Sequence, residues 1–436
     1  MRPMDTHIKN RMSPPLGLYT IVSMFRDEHE VVVENENVQE LVWTDTPPDI
    51  VGISVNVDSL PRALEIAAVY KSKCIPVVLG GILPTTAPEM IPDGSVDVIC
   101  IGAAEGTWRE ILKDLESGTL KKVYRCPHHL TGKDIVPPAY DLIPKSRYLY
   151  SNILHTSRGC PFRCDFCYNS SPERWYICRP IQNVIEEVKN CNRGHVMFID
   201  DNFVGNPKWT RELLPELKKL GVKWNAAVSI NVVDIPGMLD LMKECGCQGL
   251  FIGFESINPA SVDGVHKVQN DVSKYEYAVH EIHKRGIMIN ASFVFGLDSD
   301  TKETFQATLD WIVRNRIETV TSHILTPYPG TALHRRMKEE GRLMTEDLNL
   351  YDTAHVVMRP KNMTPEELYR GYLWIYDQVY SYKNIIRRIP KSIKQIPSYL
   401  MFNLFYRKWG RFTDWLCEKV TYERIGYWGE KLSKYL

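Results

Sequence analysis

The chain has 436 residues, of which 44% are hydrophobic and 24% charged, with 53 Lys and Arg set against 53 Asp and Glu. That length allows two domains and a tail, and the charge balance supplies no global field that would draw nucleic acid or a membrane. With no apolar signal core and no run of about 18 apolar residues, the expectation is a cytoplasmic protein whose eleven cysteines stay reduced.

Residues 1–120 alternate strand and helix signals. A helix, PPLGLYTIVSMF, comes first, and the β-branched runs 30–38, 49–57, 75–81 and 96–102 follow with helical stretches between them. This rhythm predicts a doubly wound, mostly parallel α/β sheet whose first strand is missing, short, or supplied irregularly by residues 1–8. Residues 121–150 carry four prolines without a period and read as a linker. Residues 151–335 hold six strand–helix units, with strands expected at 152–157, 195–201, 223–229, 249–256, 288–296 and 319–329, and so predict a partial (βα)6 TIM-like barrel. Residues 336–436 read as helices. Within 383–436 twelve Lys and Arg face four Asp and Glu among large apolar groups, the composition of a helical cap on the barrel or of a membrane-surface contact.

The first barrel strand runs directly into CPFRCDFC, which sets Cys160, Cys164 and Cys167 in one octet. In a reducing compartment such a group more readily binds metal than forms a disulfide, and a disulfide pair would leave one thiol spare. A structural zinc site wants four ligands; no second pair accompanies these three, although Cys178 could complete a set. A cubane iron–sulfur cluster on three thiolates fits better, because one iron is left open.

At these residues the chain resembles the radical S-adenosylmethionine superfamily, whose motif of three cysteines carries an aromatic before the last, here Phe166. The resemblance implies a 4Fe-4S cluster whose open iron chelates S-adenosylmethionine. Reductive cleavage then yields a 5′-deoxyadenosyl radical that abstracts hydrogen from substrate. It also implies cofactor contacts at successive strand ends. Asp200, Asp201 and Asn202 follow strand two, Ser229 and Asn231 strand three, Glu255 strand four, and Gly296 strand five near adenine.

The front domain resembles the cobalamin-binding subclass of the same superfamily, with Ser54, Gly80 and Gly81 as the carried-over cofactor residues. Small residues there let a nucleotide tail approach backbone. The stretch Asp5 to Asn10 offers His7 as a cobalt ligand only with Asn in place of the family's Gly, so a solvent-exposed His7 is the expectation. Together the resemblances imply a cobalamin-dependent C-methyltransferase acting on an unactivated carbon. The alternatives are ring closure, rearrangement or oxidation on the same fold, or a non-catalytic iron–sulfur scaffold or sensor. The expected partners are a small-molecule, lipid or peptide substrate and a reductant such as flavodoxin or ferredoxin, with peripheral membrane contact through the basic–aromatic tail. Nucleic acid is not expected, because Cys74, Cys100 and Cys126 lie too far apart for the second cluster of a tRNA methylthiotransferase.

Overall fold

The structure is a computed structural model that describes residues 12–43, 46–127, 130–190, 194–407 and 419–433. His7, and any strand formed by residues 1–8, lie outside the described residues.

A helix, Leu16–Phe25, precedes a parallel sheet of β1 (Val51–Ser54), β2 (Val77–Gly80), β3 (Val98–Ile101) and β4 (Val123–Arg125), in the spatial order β1-β2-β3-β4. Helices Leu60–Ser72, Ile82–Thr86 and Trp108–Glu116 make the crossovers. Adjacent residues of β2 serve opposite cores: Leu79 packs with Val55, Leu60 and Leu83, and Val78 with Phe25, Val98 and Trp108. Burial on both faces is what a doubly wound sheet requires.

Two expectations fail here. Residues 30–38 form no strand: Val32 is 72% exposed, five positions are Glu or Asn, and only Val38 is buried, so the run offers no apolar face at a period of two. Conversely, β4 lies in the stretch read as a linker. It is an edge strand that buries only Tyr124, so KKVYR shows almost no apolar signal.

The second sheet has six strands, all parallel. It begins at β5 (Ile153–Leu154). A two-stranded ribbon of β6 (Ser157–Arg158) and β7 (Ile177–Cys178) follows, and then β8 (His195–Phe198), β9 (Lys223–Val228), β10 (Cys247–Glu255), β11 (Met288–Phe295) and β12 (Thr319–Ile324), ordered β12-β11-β10-β9-β8-β5. This is the expected partial barrel. In β9 the alternation is regular: Trp224, Ala226 and Val228 are buried, while Lys223, Asn225 and Ala227 are half-buried. The strand expected at 152–157 is split into β5 and β6. The Thr156 N–H leaves the ladder and donates to the Asp200 carboxylate instead.

The open edge at β12 is covered by helix Pro365–Val379, which starts with a reciprocal cap between Thr364 and Glu367. Two tyrosines satisfy the backbone groups that an edge leaves unpaired. Tyr380 Oη accepts from Val320 N–H at 3.1 Å and donates to Val320 O at 2.6 Å; Tyr376 Oη does the same for Ser322, both at 3.0 Å. Tyr380→Phe strands both groups of Val320 in a buried place and is expected to cost about 1–3 kcal/mol, read as a lowered thermal midpoint; an unchanged midpoint refutes this role.

Part of the basic tail is likewise structural. Arg388 is fully buried and donates to the carbonyls of Ile317, Glu318 and Val379 and to Asn403 Oδ1. The boundary expected between 335 and 336 falls inside helix Ala332–Glu339. Leu348, Tyr351 and Val357, beyond that helix, complete a core of the front domain, so the two sheets share packing.

Candidate active site

The cysteine octet occupies the loop between β6 and β7. Their pairing, Ser157 opposite Cys178 and Arg158 opposite Ile177, closes the loop at its base. Gly159 opens it with φ 78°, where a β-carbon would also collide with the Trp175 carbonyl. Within the loop Cys167 N–H donates to Cys164 O at 3.1 Å, and Ser170 Oγ donates to the same carbonyl at 2.7 Å. The loop is tied outward as well. Asp165 N–H donates to Val265 O at 3.1 Å, and Leu333 N–H, from the helix after β12, donates to Asp165 O at 3.0 Å.

The three thiols lie in one another's electrostatic field. Burial raises the pKa of all three, that of Cys167 to about 12, so metal loading must displace their protons. Cys178 stands apart: its strand pairs with Ser157, and its thiol donates to Tyr176 Oη at 3.3 Å. Among the described residues no three Cys, His, Asp or Glu groups surround a single ion. Three thiolates spread along one loop suit a cluster, in which each holds a different iron.

The strand-end residues gather around this loop with different tasks. Asp200 is buried, and its carboxylate accepts from Thr156 N–H (3.0 Å), Thr156 Oγ1 (2.8 Å), Ser157 Oγ (2.6 Å) and Ser157 N–H. That geometry makes it a brace for the strand feeding the octet. Asp201, the next residue, is exposed and accepts from Gly159 N–H and Tyr168 Oη, each at 3.2 Å. Asn202 Nδ2 donates to Ser229 Oγ at 3.2 Å, linking the ends of β8 and β9, and Asn231 lies half-buried in the turn Ile230–Asp234.

Glu255 ends β10 in a left-handed conformation, φ 62°, beside a register shift at Gly253. Its carboxylate forms a buried ion pair with Lys267, whose ammonium lies 6.0 Å from the centre of the Phe166 ring. A β-carbon on Gly253 would meet Lys267 Nζ at 2.7 Å, which accounts for glycine there. Gly296, φ 97°, is held by Asp300, whose carboxylate accepts from the N–H groups of Gly296 (3.0 Å) and Leu297 (3.1 Å). Burial raises the Asp300 pKa to about 6.

A cavity of about 1990 Å³ lies between Arg158, Gly159 and Tyr168, which flank the octet, and the strand ends of the front domain, with Ser54, Gly80, Gly81 and Gly102 in its lining. Gly81 and Gly102 need glycine for their own backbone, at φ 109° and 91°. Gly80 does not: a β-carbon there would meet nothing nearer than Cys100 Cβ at 3.7 Å. The space above Gly80 is therefore open toward the cavity, and a bound group can approach the backbone there. Arg158 at the end of β6 bridges to Glu105 of the front domain through two bonds, 3.0 and 2.7 Å, and fixes the two walls together. His155 also lines this cavity, its pKa lowered to about 4 by burial and neighbouring arginines, so its imidazole is neutral there. No motif in the sequence marks Lys267, Gln269, Arg158 or His155.

Residues 154–312 match the family model of the radical SAM superfamily, residues 8–112 that of the B12 binding domain, and residues 331–404 a domain of unknown function, DUF4070. The chain is 31% identical over 412 residues to bacteriochlorophyllide d C-12(1)-methyltransferase of Chlorobaculum tepidum, covering 91% of this chain and 90% of that protein. It is 29% identical over 355 residues to hopanoid C-2 methylase of Rhodopseudomonas palustris, covering 77% and 66%. Its fold is similar to that of the cobalamin-dependent S-adenosylmethionine radical enzyme OxsB solved with aqua-cobalamin and S-adenosylmethionine bound, with TM-score 0.67, 15% identity, and 97% and 77% of the two chains covered. A cysteine loop at a barrel mouth, small residues across a cavity from it and a relative similar over nine-tenths of both chains lead to one assignment: the chain belongs to the radical S-adenosylmethionine superfamily, in the subclass whose barrel follows a cobalamin-binding domain.

Proposed function

We propose that this chain transfers a methyl group to an unactivated carbon of a large, mostly apolar molecule bound at the barrel mouth. The observation that carries this reading is a cavity of about 1990 Å³ that has Ser54, Gly80 and Gly81 on one side and Arg158, Tyr168 and Asp201 on the other. It is large enough for a corrin and lets that group and a substrate meet beside the cluster loop. When bound, the cluster and S-adenosylmethionine supply a carbon radical, and cobalamin supplies the methyl group. The protein's own work is placement. Cys160, Cys164 and Cys167 hold the cluster; Asp201, Asn202, Ser229 and Asn231 offer polar groups to S-adenosylmethionine; Gly296 turns the chain at the end of β11, near the adenine. Ser54, Gly80 and Gly81 let the nucleotide tail of cobalamin approach backbone, and the Arg158–Glu105 pair ties the two walls together. The electron comes from a donor such as flavodoxin or ferredoxin.

The test is anaerobic reconstitution with iron, sulfide and hydroxocobalamin. The wild type is expected to retain a corrinoid and to release 5′-deoxyadenosine, while Cys164→Ala retains the corrinoid, loses most of its iron and releases none. Deoxyadenosine without bound corrinoid overturns the cobalamin part, and identical behaviour of Cys164→Ala overturns the whole. A substrate product heavier by one methyl group separates methylation from ring closure or oxidation.

The relatives' names, a bacteriochlorophyllide and a hopanoid methyltransferase, favour a hydrophobic small molecule over a peptide. A membrane surface as its reservoir agrees with the tail. Ile386 (66% exposed) and Ile393 (82% exposed) stand among exposed Lys383, Arg387, Lys391 and Lys394, and no Asp or Glu occurs from 378 to 413. Cations interleaved with exposed isoleucines complement an anionic lipid surface, and no helix among the described residues is long and apolar enough to cross a membrane. Sedimentation with phosphatidylserine vesicles is expected to fall several-fold in Ile386→Glu/Ile393→Glu and with added salt; equal sedimentation of variant and wild type removes the surface contact.

A further inference from the structure

We propose that Gln269 is a positioning residue that raises the reduction potential of the cluster by donating its amide N–H to the sulfur of Cys164. Two of the three cysteines receive a backbone N–H from two residues further on: Phe162 serves Cys160, and Asn169 serves Cys167. For Cys164 the donor is instead a side chain 105 residues away, Gln269, whose Nε2 lies 3.5 Å from Sγ while its Oε1 is at 4.0 Å. Cys164 is only 7% exposed, so water competes little for that bond.

The segment bearing Gln269 is held on both sides. Before it, Val265 O accepts from Asp165 N–H of the octet, His266 Nδ1 lies 2.8 Å from the Asp165 carboxylate, and Lys267 pairs with Glu255. After it, Asn270 Nδ2 donates to the carbonyls of Gly253 and Phe254 at 2.9 and 3.2 Å. A glutamine anchored this way keeps its amide in reach whichever oxidation state the cluster has.

Reduction adds an electron whose charge is shared with the ligating sulfurs. A donor on one of those sulfurs stabilises the reduced state more than the oxidised state and raises the potential. Gln269 therefore makes the cluster easier to reduce, and removing its donor makes reduction harder. This rests on the three cysteines holding the cluster, which iron analysis reports independently of the potential.

The experiment uses the full chain reconstituted anaerobically as wild type, Gln269→Met and Gln269→Glu. Iron and sulfide per chain are measured first, and the reduced cluster is then followed by EPR in a redox titration. The expected result is unchanged iron with about tenfold less reduced cluster in Gln269→Met at a fixed poise, a fall of ~59 mV for a one-electron couple. Gln269→Glu, which adds a negative charge and removes the donor, falls further. A wild-type potential in Gln269→Met with full iron overturns the proposal. Loss of iron from both variants also overturns it, because Gln269 would then be needed to retain the cluster rather than to tune it.

Discussion

Lys267→Met is expected to destabilise the fold by about 3–5 kcal/mol, the usual consequence of removing one partner from a buried ion pair. Lys267 and Glu255 are each less than a tenth exposed, and their bond lies beneath Phe166 at the end of β10. Methionine fills the volume of the lysine stem but leaves the Glu255 carboxylate in a site where water cannot reach it. The backbone offers no relief, since Glu255 already adopts φ 62° and has Gly253 alongside to make room for the pair. The double variant Glu255→Gln/Lys267→Met removes both charges and is expected to recover most of the loss. Denaturant unfolding of the single and double variants measures this directly. A single variant as stable as wild type shows that the pair is solvated and contributes little.

Asp200→Ala is expected to have the second large effect, on the cluster site as well as on stability. It leaves the N–H groups and hydroxyls of Thr156 and Ser157 without their acceptor just where the chain enters the octet. Buried unsatisfied donors cost about 1–3 kcal/mol each, and the loop they brace carries all three cysteines. Iron content after reconstitution should fall well below that of wild type. Asp200→Asn keeps one carbonyl oxygen to receive most of these bonds. All the contacts come from donors, and most of them reach a single oxygen, so a carbonyl there is expected to preserve the brace. Near-normal iron in Asp200→Asn combined with low iron in Asp200→Ala identifies a brace. Equal loss in both would show that the charge itself is needed, as it would be for a ligand of the S-adenosylmethionine amino group.

The contrast between Asp200 and Asp201 shows where sequence reading stops. Both are legible as polar residues at a strand end, and both were expected to serve the cofactor. The fold turns the first inward to Thr156 and Ser157 and leaves the second at the cavity beside Tyr168. Side chains alternate along an extended segment, so neighbours in sequence face opposite environments. Which environment is the site depends on the sheet around it. The same limit hid β4. Its polar residues carry the composition of a linker, and only the free edge of β3 made it a strand.

The amino-acid sequence by itself determined the cysteine octet, the order of strand and helix through the barrel, and the succession of small and polar residues at strand ends. These are local features: three thiols within eight residues need no folding to be recognised, and apolar periods of two or 3.6 residues show over one element. Only the tertiary structure decided which residues serve the octet. Gln269 reaches Cys164 across 105 residues, Lys267 finds Glu255 across the short helix Pro259–Asp263, and Arg158 meets Glu105 from the other sheet. Such partners carry no periodic signal, because burial of a charge or a polar group selects them only after the strands have assembled, when each must find a counterpart or remain unsatisfied.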